Sequence, residues 1–352
     1  MKKIFTAIMT CILVIGMAAC TNNAKPESEA KNEKKHLSVV STIFPEYDWV
    51  KEVLGSNPAG VETTMLINKG VDLHSYQPSV DDIAKIKDSD YFIYVGGESD
   101  AWVGDALHGA KDGQKVLNLV EALGDKVYSE EVVEGMQDDE HEHDHEHEHE
   151  HDADHDHKEE HDHEHEHEHE HEEEYDEHVW LSLRNAQFYV QKIAATLGEL
   201  DPENKDFYAT NAKNYIEKLI ALDRNMIEVA DQATTKTVLF GDRFPFRYFV
   251  EDYGLHYYAA FVGCSAETEA SFETLAFLAG KVDELGLHTI FTIENSDGKI
   301  ANAVKENTKT KDQDIAVLNS LQSVKQEEAD AGASYLKIME NNVETLRKAL
   351  VK

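Results

Sequence analysis

LSVVSTIFPEYDWVKEVLG, residues 37–55, opens with a run rich in β-branched residues and closes with a helical segment from Glu46 to Leu54 that stops at Gly55. Branched side chains pack well on a pleated surface, and Gly is the residue that most readily ends a helix. The same alternation recurs downstream. VETTMLI (61–67), YFIYVGG (91–97) and KVLNLV (115–120) read as strands, with helical stretches at SVDDIAKIK (79–87) and SDAWVGDAL (99–107). A second series runs through TVLFGD (237–242), HYYAAF (256–261), HTIFTIEN (288–295) and DIAVLNSL (314–321). Its helices are PFRYFVEDYG (245–254), SFETLAFLAGKVDELG (271–286) and KIANAVKEN (299–307). Strand, helix, strand at this spacing indicates right-handed βαβ units on parallel sheets. The expected fold is α/β, with two similar lobes, each a parallel sheet flanked by helices.

Between the lobes lies DPENKDFYATNAKNYIEKLIALDRNMIEVAD, residues 201–231. Asp201 reads as an N-cap with Pro202 at the first helical position, and Phe207, Tyr215, Leu219, Leu222, Met226 and Val229 form an apolar stripe. At 1.5 Å per residue, some thirty residues make a rod of about 45 Å, long enough to join both lobes rigidly. The domain reading is therefore an N-terminal lobe at 36–200, a linking helix at 201–232 and a C-terminal lobe at 233–352. A closing helix places Tyr335, Met339, Val343, Leu346 and Leu350 on one face.

The 352 residues carry 33 basic and 70 acidic side chains, a net charge of −37. Nucleic-acid binding is excluded, because a phosphate backbone is held by Lys and Arg that release its counterions. Most of the excess is local. Residues 138–177 contain 23 Asp or Glu, one Lys and 14 His, so that stretch alone accounts for −22. The His-rich loop spans 137–177, and its imidazoles are His141, His143, His145, His147, His149, His151, His155, His157, His161, His163, His165, His167, His169 and His171. With almost no apolar content it is expected to be disordered. Imidazole is the commonest protein ligand for zinc, copper and nickel, so the tract reads as a low-specificity sponge for several ions. The plain alternative is a solvating linker.

Residues 1–20, MKKIFTAIMTCILVIGMAAC, read as a signal peptide whose apolar run is too short for a membrane span. Its end, Met-Ala-Ala-Cys, resembles the lipobox of bacterial lipoproteins, which implies lipidation of Cys20 and an extracytoplasmic protein tethered to a membrane. Residues 21–35 read as a flexible stalk. Once Cys11 leaves and Cys20 is lipidated, Cys264 is a single thiol that cannot form an internal disulfide.

A selective metal site must come from outside the tract. His74, in GVDLHSYQPSV, follows the second strand, where loops at the carboxyl edge of a parallel sheet meet ligand. His178, in DEHVWLSL, stands just after the tract. Only folding can unite two residues so far apart.

STIFPEYDWV, GVDLHSYQPSVDDI, DEHVWLSL, the long helix, YFVEDYGL and LNSLQSVKQEEADAGASYLKIMENNVETLRKAL together resemble the zinc and manganese solute-binding lipoproteins of metal ABC importers, in the subgroup with a His-rich loop. The resemblance implies that His74 and His178 bind the ion, and that a carboxylate in FTIENSDGK, Glu294 or Asp297, completes the site. Asp297 is slightly favoured; for either residue the alternative is capping the helix that follows. The resemblance also leads to a His or Glu where this chain has Arg243, and a guanidinium cannot ligate a cation. The third ligand stays open between Asp242, Cys264, Glu267, a His lent by the tract, and water. Thiolate suits zinc, although a lone Cys is more often a small buried hydrophobe. Arg243 could instead pair with a carboxylate such as Asp297 or grip an anionic chelator carrying the metal.

The function implied is reception of a divalent metal, zinc first and manganese as the alternative, and its delivery to an ABC permease and ATPase by a monomer that is not an enzyme. Rivals are a surface metal buffer or adhesin, and a zinc metallohydrolase. No H-E-x-x-H motif supports the hydrolase.

Overall fold

The computed structural model describes residues 36–137, 174–265 and 269–351. The signal segment, Cys20, the stalk, all fourteen tract histidines and Glu267 lie outside the described residues. Strands β1 (Ser38–Ser41), β2 (Glu62–Met65), β3 (Tyr91–Tyr94) and β4 (Lys115–Asn118) form a parallel sheet in the order β2-β1-β3-β4. Strands β5 (Thr237–Phe244), β6 (His256–Val262), β7 (Thr289–Ile293) and β8 (Asp314–Leu318) form a second parallel sheet in the order β6-β5-β7-β8. The eight strands are those expected, and the two lobes share one topology. Parallel strands need crossovers, and the helices supply them.

In chain order the helices are α1 (Phe44–Leu54), α2 (Val80–Asp88), α3 (Val103–Leu107), α4 (Leu119–Leu123), α5 (Leu183–Leu200), α6 (Lys205–Gln232), α7 (Arg247–Asp252), α8 (Phe272–Leu285), α9 (Lys299–Asn307), α10 (Gln326–Asp330) and α11 (Tyr335–Leu350). Helices α4, α5 and α10 lie where none was expected, α4 taking up the end of the stretch read as the strand KVLNLV, and α6 starts later than expected. Helix α5 was not anticipated, although Ala186, Tyr189, Val190, Ile193 and Leu197 bury one face at helical spacing. The long helix α6 begins at Lys205 rather than 202, because Pro202–Asn204 forms a 3₁₀ turn. Asp201 does not cap the helix. Its carboxylate accepts bonds from the Tyr208 hydroxyl and the Asn204 amide, both at 2.7 Å, which fixes the corner between α5 and α6.

Helix α6 packs against α1, α5 and α11. Its stripe is buried at Tyr215, Leu219, Leu222, Met226 and Val229, with Tyr208 taking the inward place expected of Phe207. A single apolar cluster therefore runs through both lobes. Trp49 on α1 is stacked with Tyr189 on α5 at 5.7 Å and meets Tyr335 on α11 edge-on at 5.1 Å. Beside them, Asp48 accepts the backbone N–H of Tyr335 at 2.9 Å, and the Tyr335 hydroxyl donates to the Trp180 carbonyl at 2.7 Å. The first residue of the closing helix is thus bonded into the N-terminal lobe at both ends.

Burial pushes the Asp48 carboxyl up to about 7, despite the opposing Tyr335 bond. A carboxyl with a folded-state pKa above its unfolded value of about 3.9 stabilises the fold fully at low pH, and that contribution is lost as pH rises through 7. Asp48→Asn should therefore raise stability at pH 8, on the order of 1–4 kcal/mol, and leave it little changed at pH 4. Thermal unfolding in chelator across that range checks this; a variant whose pH slope equals the parent's contradicts it.

Candidate metal centre

His74 and His178 are each introduced by an Asp two residues earlier. Asp72 Oδ1 accepts the backbone N–H of His74 at 3.1 Å, holding it in the 3₁₀ turn Leu73–Ser75 after β2. Asp176 Oδ1 accepts the backbone N–H of His178 at 2.9 Å and also lies 3.0 Å from its Nδ1. A carboxylate can only accept, so His178 Nδ1 carries a proton and Nε2 is left with a bare lone pair. In His74, Nδ1 bonds Ser99 Oγ at 2.7 Å and lies 3.8 Å from the Glu177 carboxylate, which also favours the proton on Nδ1.

The two Nε2 atoms face each other at 3.2 Å. Two zinc–nitrogen bonds of about 2.0–2.1 Å at a tetrahedral angle would set that separation at about 3.3–3.4 Å. Without a cation, two neutral imidazoles with both Nδ1 atoms protonated would put lone pair against lone pair. Burial and the neighbouring His178 hold His74 below the ordinary imidazole range, so it stays a neutral base near pH 7. The arrangement fits a shared dication.

Cys264 brings the third donor, from the C-terminal lobe. Ligand atoms of His74, His178 and Cys264 all lie within 4.8 Å of one another, the converging group found among the described residues. The approach is close because Gly263 has no side chain: a Cβ there would sit 2.9 Å from His178 Cε1 and 2.9 Å from the Phe244 carbonyl. Burial, then the charges of Glu130, Glu177 and Asp176, push the Cys264 thiol well up. A dication would reverse that balance, since a coordinating thiol is deprotonated by its metal.

A cavity of about 250 Å³ opens beside His74 and Cys264, lined also by Glu98, Glu130, Glu174 and Glu177. Glu177 is 2% exposed, and its Oε1 accepts the Ser99 N–H at 2.9 Å while Oε2 has no hydrogen-bond partner. Glu130 accepts the Cys264 N–H at 3.2 Å. The lining carries negative charge and no Lys or Arg. None of these acids was singled out from the sequence.

The carboxylates expected from FTIENSDGK are not part of the converging group. Glu294 accepts the Ser320 N–H at 2.6 Å and the Ser320 and Ser323 hydroxyls at 2.7 and 3.1 Å, so its oxygens are engaged at the end of β8. Asp297 is exposed, bonds the Lys299 N–H at 2.9 Å and pairs with its ammonium at 2.5 Å. In this structure the Asp297 carboxylate is therefore engaged by Lys299, at the start of the helix that follows. Asp242 accepts the Arg243 N–H at 2.9 Å and faces a separate cavity of about 460 Å³ with Glu294, Asp297 and Gln322.

Arg243 pairs with Asp72, not Asp297. Its charge is thereby neutralised, and Asp242, Glu294 and Asp297 line the same cavity, so the cleft repels the anionic chelator considered above. A bulge in β5 between Phe240 and Arg243 sets this aim, because one extra residue there re-directs the side chains that follow.

A family model described as zinc-uptake complex component A, periplasmic, matches residues 39–349. The zinc-binding lipoprotein AdcA of Streptococcus pneumoniae serotype 4 is 31% identical over 348 residues; the match covers 99% of this chain and 61% of that protein, so this chain spans less than two thirds of its relative. The high-affinity zinc uptake system protein ZnuA of Bacillus subtilis is 31% identical over 346 residues, 98% of this chain and 96% of that one. The crystal structure of the Zn(II)-bound ZnuA-like domain of Streptococcus pneumoniae AdcA superposes with a TM-score of 0.65 at 28% identity, covering 90% of this chain and all of that one. With two parallel-sheet lobes and two convergent imidazoles already in place, these matches make the chain a member of the zinc-uptake complex component A family.

Proposed function

We propose that this protein is an extracytoplasmic receptor that captures one zinc ion between its lobes, through His74, His178 and Cys264, and delivers it to an ABC permease and its ATPase. The observation that carries the reading is the pair of Nε2 atoms at 3.2 Å, each with its Nδ1 committed elsewhere. The zinc-binding names of the relatives support the ion, and the family supports the transport role. No bond is made or broken; the work is selection and transfer. Two imidazoles and a thiolate favour zinc, whereas manganese prefers oxygen ligands. Anchoring through a lipid on Cys20 follows from the lipobox resemblance.

The His tract is read as a feeder. Both described flanks are pinned beside the cleft: the N–H groups of Glu130 and Asp176 donate to the Glu174 and Tyr128 carbonyls at 2.7 and 2.9 Å, and Gln137 N–H donates to Ala260 at 2.9 Å. Ions held nearby at raised effective concentration need travel little to reach His178.

His74→Ala and His178→Ala should each weaken the tightest zinc site by at least about 100-fold, more than loss of an outer partner costs, while the weaker ions persist. Competition against a chelator of known affinity measures this; an unchanged tightest site in either variant would leave the tract as the binder. Cobalt loaded at less than one equivalent should show a thiolate-to-metal charge-transfer band that Cys264→Ser abolishes, with zinc preference over manganese falling in the same variant. A parent spectrum without the band removes Cys264 from the site.

A further inference from the structure

Arg243 stands where the resemblance leads to a ligand, and a ligand in that place would tie the lobes together only while an ion is bound. The guanidinium makes a different set of contacts. One nitrogen bonds Asp72 Oδ2, and another lies 3.5 Å from the Ser265 carbonyl. Asp72 is in the N-terminal lobe, and its second oxygen holds the backbone N–H of His74 at 3.1 Å. Ser265 directly follows Cys264 in the C-terminal lobe. The Gln322 amide, from the loop after β8, adds a second bond to Asp72 Oδ2 at 3.1 Å. One cation therefore sits between the turn that carries His74 and the turn that carries Cys264.

We infer that Asp72 and Arg243 form a clamp across the cleft that positions His74 and Cys264 without touching the ion, and that closes the lobes before the ion arrives. The inference rests on the proposed function for the identity of the bound ion. Asp72 and Arg243 side chains are 22% and 15% exposed, enough burial for a charge-assisted bond to outlast solvent screening. The planar fork of Arg243 also reaches two acceptors at once, which a Lys ammonium matches poorly. Both are positioning residues. Their effect is expected on how long the ion stays, because a pre-closed cleft slows escape more than it changes encounter.

Asp72→Asn and Arg243→Gln in the full-length chain test this by stopped-flow release of zinc from the tightest site into excess chelator. Release should be about 10- to 100-fold faster in each, the change expected for losing a bond between charged groups, with association altered far less. The double variant should be no faster than the singles. Small-angle scattering of the metal-free variants should show a larger radius of gyration than the parent, restored by zinc. Release at the parent's rate in both singles, or effects that simply multiply in the double variant, overturns the clamp. A parent that lacks any tight zinc site overturns the proposed function instead, so the two failures are distinguishable.

Discussion

Two imidazole lone pairs held face to face are the constraint around which the cleft is organised. With both Nδ1 atoms protonated, nitrogens 3.2 Å apart turn lone pair to lone pair, and a shared cation makes that contact favourable. Everything nearby maintains that geometry. Asp176 fixes one ring through its Nδ1, Ser99 and Glu177 fix the other, and Gly263 lets the chain carrying Cys264 come close. Partners of this kind orient ligands and raise their basicity.

The scaffold holds the two rings by different means. Two residues after His178 stands Trp180, whose indole donates to the Ser320 carbonyl at 2.7 Å and whose own carbonyl is gripped by Tyr335, so this ring adjoins the inter-lobe core. His74 sits on a short turn outside that core and depends on Asp72 for its placement. The C-terminal lobe reaches it through Arg243 and Gln322. One ring is thus built into the core, and the other stands on a short turn outside the spine formed by α1, α5, α6 and α11.

Much of this was readable from the chain, and the gaps have physical causes. The strands announced themselves because each is a short run of branched or aromatic residues between helical segments. Helix α5 carried an equally clear periodicity at Tyr189, Ile193 and Leu197, but the Asp201–Pro202 start signal marked the next helix and left this one unassigned. The repeated Asp-x-His pattern, Asp72 with His74 and Asp176 with His178, was also present in the sequence as a turn signal. Cys264 could be weighed but not placed, because its approach to residues 74 and 178 exists only once the two lobes meet. The same holds for Glu294 and Asp297, whose chemistry as possible ligands is sound but whose oxygens are engaged by Ser320, Ser323 and Lys299.

The reading of the site comes down to which atoms surround the first ion bound. X-ray absorption at the zinc edge, on full-length protein loaded well below one equivalent, reports those atoms directly. The account predicts two imidazole nitrogens at about 2.0–2.1 Å and one sulfur at about 2.3 Å. A first shell of nitrogen and oxygen alone, with no sulfur, would contradict it.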